Sequence, residues 1–301
     1  MNGDIRQDAL AGKAVIITGA GNGLGAAYAR HAAALGAAVL VNDIDPSAAE
    51  TTAETIRAGG GRAQACAGDV SSWGFAETLT SACLDAFDTL TGLVNNAGIL
   101  RPALMDEMTE ADLRRMFEIN VLATAACAQA AVRQMRKLGK GGSVVNIASG
   151  SQAGDIGLGG YGASKGAVAS LTYSWAMELH GTGVRMNAVS PLAQTAMAAQ
   201  NAHLMAAQSA QRDVHYKSLP AAEVSAPVVS FLLSDLSSRI HGQVVRIADR
   251  QLSYVTHPMI ASPVMTGEWT FEKVAQAFEH TLSDAQHKLG LAFCQSDGQD
   301  T

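Results

Sequence analysis

The first 250 residues alternate between short apolar runs and longer segments of helical composition. Short runs rich in Val, Ile and Ala are typical of strands that are buried on both faces. The predicted strands cover residues 14–18, 38–42, 62–67, 91–95, 143–147, 184–189 and 243–247. The predicted helices cover residues 26–35, 46–58, 72–87, 110–138, 161–180 and 220–233.

This alternation predicts an α/β fold, a Rossmann-like doubly wound parallel sheet of about seven strands with helices on both faces. The pattern ends after residue 248, so we expect a single domain over residues 8–250. Residues 251–301 are expected to form a C-terminal extension with one helix near residues 271–288. Residues 192–219 carry no strand pattern and are expected to form a flap over a substrate pocket.

Composition and charge exclude several classes of protein. The chain of 301 residues is 48% hydrophobic, which excludes intrinsic disorder. Acidic residues outnumber basic ones by 27 to 21, so a general nucleic-acid or membrane-surface binder is not expected. No apolar stretch reaches the roughly 18 residues of a membrane span. The four cysteines are scattered and the histidines lack H-x-H or H-E-x-x-H spacing, which predicts a cytoplasmic protein with reduced thiols and no metal site.

A glycine cluster, Thr18-Gly-Ala-Gly-Asn-Gly-Leu-Gly25, connects the first predicted strand to the first predicted helix. Glycines in this position permit a tight turn and let the backbone approach a pyrophosphate, whose charge is stabilised by the N-terminus of the helix. The cluster therefore predicts a dinucleotide site with contacts at Gly19, Asn22, Gly23 and Leu24. The alternative interpretation is a glycine-rich turn that serves packing only.

An acidic residue at the end of the second strand bears on the choice of dinucleotide. Asp43 lies 20 residues after Gly23, where a carboxylate can accept hydrogen bonds from the ribose hydroxyls. A 2′-phosphate would meet like charge there, reinforced by Asp45, with no Arg or Lys before Arg57. The sequence therefore predicts NAD rather than NADP; the alternative is a solvated loop acid.

Further motifs follow the glycine cluster in a fixed order. They are Asp69-Val70, N-N-A-G at residues 95–98, Asn120, N-I-A-S ending at Ser149, and Y-x-x-x-K from Tyr161 to Lys165. With the T-G-x-x-x-G-x-G cluster, this set resembles the classical short-chain dehydrogenases/reductases over residues 10–248.

The resemblance implies a set of functional residues. The catalytic group would be Asn120, Ser149, Tyr161 and Lys165. The remaining cofactor contacts would come from Asp69, Val70, Asn96, Ala97, Gly98, Pro191 and Thr195, together with Tyr161 and Lys165. In such enzymes the tyrosine exchanges the proton of an alcohol, the lysine holds the nicotinamide ribose, the serine polarises the substrate oxygen and the asparagine anchors a proton-relay water.

Elementary chemistry agrees with these roles. Tyr161 and Lys165 are four residues apart and therefore lie on one face of a helix. A tyrosine with a pKa near 10 is a poor base at neutral pH, and we expect the Lys165 ammonium and a nicotinamide cation to lower that pKa. Ser149 precedes Tyr161 by 12 residues and directly follows a predicted strand, whereas Ser151 is a rival at a spacing of 10.

The segment Pro191-Leu-Ala-Gln-Thr-Ala-Met197 resembles one branch of the family, the multifunctional β-oxidation enzymes and bacterial hydroxysteroid dehydrogenases. That branch implies an apolar or bulky substrate, such as a hydroxysteroid or a 3-hydroxyacyl thioester, and a cofactor contact at Thr195. The predicted substrate contacts are Ser151, Leu192 and Met197.

The expected function is NAD-dependent interconversion of a secondary alcohol and a ketone. The alternatives are a catalytically silent NAD-binding scaffold and a dehydratase or epimerase on the same frame. The family resemblance also implies a homo-oligomer, a tetramer or a dimer, formed through the helices at residues 110–138 and 161–180.

Overall fold

The computed structural model describes residues 8–193, 219–287 and 290–291, and these contain one eight-stranded sheet. The strands are β1 (Ala14–Ile17), β2 (Ala38–Asp43), β3 (Arg62–Ala67), β4 (Gly92–Asn95), β5 (Gly142–Ile147), β6 (Val184–Leu192), β7 (Val244–Ala248) and β8 (Gln251–Val255). The helices are α1 (Gly23–Ala34), α2 (Pro46–Ala58), α3 (Phe75–Phe87), α4 (Glu110–Phe117), α5 (Ala123–Leu138), α6 (Gly159–Glu178), α7 (Ala226–Leu233) and α8 (Phe271–Ala277).

The strand order is β3-β2-β1-β4-β5-β6-β7-β8, and the first seven strands in the chain are parallel. The predicted doubly wound α/β sheet is therefore confirmed. Because β2 and β4 flank β1 on opposite sides, the winding reverses there, and a crevice opens at the carboxyl ends of β1 and β4.

Alternate residues of the strands pack into two different cores. Val15 and Ile17 contact the cluster that holds α1, α2 and α7, whereas Ala14 and Ile16 contact the cluster that holds α3 and α5. The helices reach the sheet closely because alanines supply much of both clusters, with the fully buried Tyr28 as the largest side chain. Both faces of the sheet are thus covered, which leaves its carboxyl edge to bind ligands.

The structure adds an eighth strand that the apolar pattern did not mark. β8 pairs antiparallel with β7 through a two-residue turn at Asp249 and Arg250, where Asp249 has φ 52°. This left-handed conformation is one that Asp tolerates because its short side chain can bond locally. The extension therefore begins as part of the sheet.

Two predicted helices also differ from the observed ones. The segment 110–138 is divided into α4 and α5 by a π-helical turn over Glu118–Leu122. The helix expected over residues 271–288 is α8 followed by a π-helical turn over Phe278–Leu282. In the described ranges, no helix has the length and apolar character that crossing a bilayer requires. The same residues hold no group of three or more His, Cys, Asp or Glu side chains suited to a metal.

Candidate active site

The glycine turn between β1 and α1 is closely packed on one side and open on the other. A Cβ atom on Gly25 would lie 2.2 Å from the carbonyl oxygen of Gly19, and one on Gly19 would lie 2.9 Å from the Cα of Ala97. Packing therefore requires these two glycines. Gly23 has φ +53° and no heavy atom within 4 Å of the place of a Cβ, so open space faces the start of α1.

The N-terminus of α1 lacks the usual capping groups. Asn22 makes no side-chain hydrogen bond to the helix, and the first turn, which includes Leu24, carries no acidic residue. The free N–H groups of a first helical turn attract an anion. This uncapped turn, with open space beside Gly23, fits the pyrophosphate of a dinucleotide.

The turn is held against the end of β4 by a reciprocal set of hydrogen bonds. The Thr18 hydroxyl oxygen accepts the N–H groups of Asn96 at 3.1 Å and Ala97 at 3.0 Å. The Asn96 amide donates in return to the carbonyl oxygens of Thr18 and Gly19, both at 2.9 Å. These bonds fix the walls of the crevice between β1 and β4.

Asp43 lies at the end of β2 directly beside this turn. Its carboxylate accepts the N–H of Gly21 at 2.9 Å and the N–H of Asp45 at 3.1 Å. Asp45 caps α2 by accepting the N–H of Ser47 at 2.9 Å. Arg57 is turned to Glu50 in an ion pair. Asp43 is therefore not a loop acid surrounded by water alone, and it retains lone pairs for a ribose.

At the far side of the crevice, Asp69 and Val70 follow β3. The Asp69 carboxylate accepts the Ser71 N–H at 2.8 Å and lies 3.3 Å from the Arg115 guanidinium. Partial burial raises the pKa of Asp69, but the hydrogen bonds from Ser71 and the charge of Arg115 outweigh burial and lower it. Val70 is buried in the core beneath. Arg115 carries no motif signal, so the sequence did not reveal that it orients Asp69.

The structure brings Ser149, Tyr161 and Lys165 together at the carboxyl end of β5. The Tyr161 hydroxyl is hydrogen bonded to Ser149. The Lys165 ammonium donates to the carbonyl oxygen of Ile147 at 2.7 Å and lies 5.8 Å from the centre of the Tyr161 ring. Ser151 contacts Ser149 through its backbone N–H at 3.2 Å. Of the two candidate serines, Ser149 is thus the one bonded to the tyrosine.

The electrostatics of this cluster differ from the expected lowering of the tyrosine pKa. Burial raises the pKa of Tyr161 to about 12, and the hydrogen bond to Ser149 opposes that rise. Burial also lowers the pKa of Lys165 to about 8. Because desolvation penalises both charged forms, the chain by itself holds the tyrosine as a neutral phenol.

Asn120 lies in the π-helical turn and is fully buried. Its side-chain oxygen accepts the Ile99 N–H at 2.8 Å, and its amide donates to the Ile99 carbonyl and to the Ser164 hydroxyl, each at 2.9 Å. Ser164 donates to the carbonyl oxygen of Tyr161 at 2.7 Å. A Cβ on Gly98 would lie 3.1 Å from the Asn120 side-chain oxygen. Asn120 therefore ties the end of β4 to the first turn of α6, and Ser164 is a partner that the motifs did not mark.

The structure describes only some of the residues that were predicted to contact the substrate. Pro191 and Leu192 end β6, and Ser151 lies in the 3-10 turn Gly150–Ala153 that follows Ser149. Thr195 and Met197 lie outside the described residues, as does most of the predicted flap.

Comparison with known proteins agrees with this geometry. A family model described as short chain dehydrogenase matches residues 13–206. The chain is 36% identical over 245 residues to an uncharacterised oxidoreductase of Methylorubrum extorquens, covering 78% of this chain and 96% of that relative. It is 34% identical over 244 residues to the cis-4-hydroxycyclohexanecarboxylate dehydrogenase of Sinomonas cyclohexanicum, covering 80% and 96%.

A solved structure gives the same result for the fold. A short chain dehydrogenase from Mycobacterium avium superposes with a TM-score of 0.82 at 28% identity, covering 94% of this chain and 99% of that one. The glycine turn, the Ser149–Tyr161–Lys165 cluster and the sheet are thus found in a chain that matches this family over most of its length. The protein belongs to the short-chain dehydrogenases, oxidoreductases that use a nicotinamide dinucleotide.

Proposed function

We propose that this enzyme is an NAD-dependent dehydrogenase that interconverts a secondary alcohol and a ketone. The observation that carries the proposal is the cluster in which the Tyr161 hydroxyl is hydrogen bonded to Ser149 and the Lys165 ammonium lies 5.8 Å from the centre of the Tyr161 ring. This cluster stands at the carboxyl edge of the sheet, where ligands bind in doubly wound folds.

The protein's own groups account for the proton transfer. Ser149 holds the alcohol oxygen against the Tyr161 hydroxyl, and Tyr161 exchanges the alcohol proton. NAD, when bound, supplies the acceptor for the hydride and a positive charge. Burial keeps the pKa of Tyr161 high when no cofactor is bound. The positive charge of NAD and the Lys165 ammonium therefore have to stabilise the phenolate together. Lys165 holds the nicotinamide ribose, and Asn120 fixes the first turn of α6 and anchors the relay water.

Asp43 supports NAD as the cofactor. Its carboxylate is fixed beside the glycine turn by two backbone N–H groups, and Arg57 is engaged by Glu50. A 2′-phosphate there would meet an acid without a nearby described cation to neutralise it.

A cyclic secondary alcohol is the class of substrate we propose. The Sinomonas relative is named for a hydroxycyclohexanecarboxylate, a secondary alcohol on a six-membered ring, and the ring agrees with the bulky substrate expected from the sequence. The homo-oligomer, the cytoplasmic location and the domain limits at residues 8–250 and 251–301 stay predictions.

The test is a panel of ring and chain alcohols, including cis-4-hydroxycyclohexanecarboxylate and a hydroxysteroid, with NADH formation followed by absorbance. We expect turnover of at least one ring alcohol with NAD. NADH binding without turnover of any alcohol or ketone would favour the silent scaffold instead.

Cofactor choice is tested with Asp43→Asn, which keeps the side-chain shape but removes the charge. The preference for NAD over NADP should fall about tenfold or more. Glu54→Gln removes an exposed charge from α2 and serves as the matched control, with an unchanged preference. Equal use of NAD and NADP by the unmodified enzyme would contradict the role of Asp43.

A further inference from the structure

The loop that follows β3 lies beside Asp43. The Gly68 N–H donates to the Asp43 carbonyl oxygen at 2.9 Å, and the Asn42 amide donates to the carbonyl oxygens of Cys66 and Gly68 at 3.0 and 3.2 Å. Because β2 and β3 are neighbouring parallel strands, Asp69 lies one strand further out than Asp43. A base attached to a ribose at Asp43 would therefore be bound on the side of Asp69.

Arg115 of α4 closes a ring of hydrogen bonds around the Asp69 carboxylate. Its Nη2 lies 3.3 Å from Oδ2 of Asp69, and its Nη1 donates to the Ser71 hydroxyl at 3.0 Å. The Ser71 side chain and N–H are both bonded to the same carboxylate, the N–H at 2.8 Å from Oδ1. A planar guanidinium that engages both partners fixes the orientation of the carboxylate. A carboxylate has about four lone-pair positions, so these bonds leave room for a further donor.

The contact between Arg115 and Asp69 serves orientation more than stability. Both side chains are 40% exposed, and an ion pair this exposed contributes little to folding because water screens it. Arg115 also donates to Glu118 at 3.1 Å, and Glu118 is the first residue of the π-helical turn that holds Asn120. Arg115 therefore connects the loop after β3 to the segment that carries Asn120.

We infer that Arg115 is a positioning residue for recognition of the dinucleotide's base: it holds the Asp69 carboxylate so that this group accepts a hydrogen bond from an amino group of the base. An ionised carboxylate accepts hydrogen bonds and donates none. It therefore favours a base that presents an amino group, such as adenine, over one that presents a carbonyl oxygen, such as hypoxanthine. This inference rests on the proposed use of NAD and concerns its base, not the ribose or the alcohol.

The experiment measures binding rather than turnover. NADH and its hypoxanthine analogue, in which a carbonyl replaces the amino group of adenine, are titrated by nicotinamide fluorescence. The unmodified enzyme should bind NADH about tenfold more tightly than the analogue, since a hydrogen bond to a charged group is replaced by two opposed acceptors. In Arg115→Gln this ratio should fall to about threefold or less, because NADH binds more weakly while the analogue changes little.

Further variants show whether Arg115 acts through Asp69. Asp69→Asn should abolish the preference, because an amide can turn its NH2 group to the carbonyl of hypoxanthine. Adding Arg115→Gln to Asp69→Asn should change neither affinity by more than about twofold, as is expected when two residues act as one unit. Ser71→Ala leaves α4 intact and should lower the ratio in the same direction as Arg115→Gln.

Arg114 provides the matched control. It precedes Arg115 on α4 but pairs with Glu110 of the same helix, at 2.6 Å. Arg114→Gln should leave both affinities unchanged. Arg115→Lys keeps the charge without the planar fork and should recover part of the ratio that Arg115→Gln loses.

Three results would overturn the inference. The first is equal binding of NADH and the analogue by the unmodified enzyme. The second is equal weakening of both in Arg115→Gln, which would make the guanidinium a structural support of the loop, and the third is a full additional loss when Arg115→Gln is added to Asp69→Asn. If the preference depends on Arg115 but no alcohol is oxidised, the dehydrogenase proposal fails and the role of Arg115 stands.

Discussion

The two halves of the sheet's carboxyl edge are built in different ways. On the β1–β4 side, close packing of the backbone shapes the crevice, since a Cβ on Gly25 or Gly19 would lie less than 3.0 Å from a backbone atom. On the β5–β7 side, side chains from distant parts of the chain meet: Ser149 follows β5, Arg246 lies on β7 and Leu291 comes from the C-terminal extension. The first half is shaped mainly by main chain, which the Thr18 and Asn96 side chains hold in place, and the second is shaped by side chains.

This difference matches what each half has to recognise. A dinucleotide has a fixed shape, and a glycine turn with a helix N-terminus is complementary to its phosphates whatever the neighbouring side chains are. A substrate is recognised by the size and charge of the side chains around it, which can change without altering the fold. Substitutions should therefore have different effects in the two halves.

Tyr161 lies where the halves meet, and its loss should have the largest effect. Tyr161→Phe removes the group that exchanges the proton, so kcat should fall about a thousandfold. NADH affinity, measured by fluorescence, should change little. Tyr173→Phe is the matched control on the same helix, because Tyr173 lies 12 residues after Tyr161 and its ring packs against His257, and it should retain activity. Retained turnover in Tyr161→Phe would refute the mechanism.

Substitutions of Ser149 and Ser151 test which of the two serines contacts the substrate oxygen. Ser149→Ala should lower kcat/KM about a hundredfold, since it removes a donor to the substrate oxygen. The bond to Ser149 lowers the pKa of Tyr161, so without it that pKa rises further and the pH profile of alcohol oxidation moves to higher pH. Ser151→Ala should leave the profile in place. The opposite result would make Ser151 the catalytic serine.

On the β1–β4 side, which recognises the cofactor, Gly25→Ala should displace the backbone of the glycine turn. The added Cβ would stand 2.2 Å from the Gly19 carbonyl, and forcing the turn apart costs about 1–3 kcal/mol. We expect NADH affinity and the melting temperature to fall together. Gly166→Ala on α6, where no atom lies within 4 Å of a new Cβ, is the control: it should leave NADH affinity unchanged and should not lower the melting temperature, because alanine is the better helix former. An unaltered NADH affinity in Gly25→Ala would contradict the main-chain recognition described above.

On the β5–β7 side, which recognises the substrate, Leu291→Ala should have the smallest effect on activity of the four substitutions. The Leu291 side chain packs at 3.1 Å from the place of a Cβ on Gly150, next to Ser149. Shortening it should change the KM for bulky alcohols by less than about tenfold and leave NADH affinity unaltered. A loss of NADH binding in this variant would contradict the assignment of cofactor recognition to the β1–β4 side and of substrate recognition to the β5–β7 side.

The sequence predicted the parts of the fold that burial determines. All seven parallel strands were placed, because strands covered on both faces must be apolar. β8 was missed since Gln251 to Tyr254 are exposed, and an exposed strand carries no burial pattern. The hydrophobic pattern of residues 110–138 gave no sign of the break at Glu118–Leu122, which only the resemblance implied, through the helix-breaking asparagine that the family has at Asn120. The break coincides with bonds from Asn120 to Ile99 and Ser164, which are distant in sequence.

The candidate site was predictable where the chemistry depends on local spacing. The Tyr161–Lys165 pair and the glycine turn follow from four-residue and strand-turn-helix patterns, and the structure places each next to its partners. The rise that burial causes in the pKa of Tyr161 was not predictable, because it depends on what covers the side chain in the folded chain. Arg246 gave no signal either, since only the pairing of β6 with β7 brings it to Gly150.

β8 also determines how the sheet ends on the β7 side. Without this strand, Val244–Ala248 would present unpaired N–H and C=O groups to solvent, which is a template for edge-to-edge association of chains. The hairpin moves the free edge from β7, whose residues are mostly buried, to the equally short β8, whose residues are mostly exposed. Removing the extension after Asp249 would therefore expose the edge of β7, and shortened chains would be expected to form insoluble assemblies through β7.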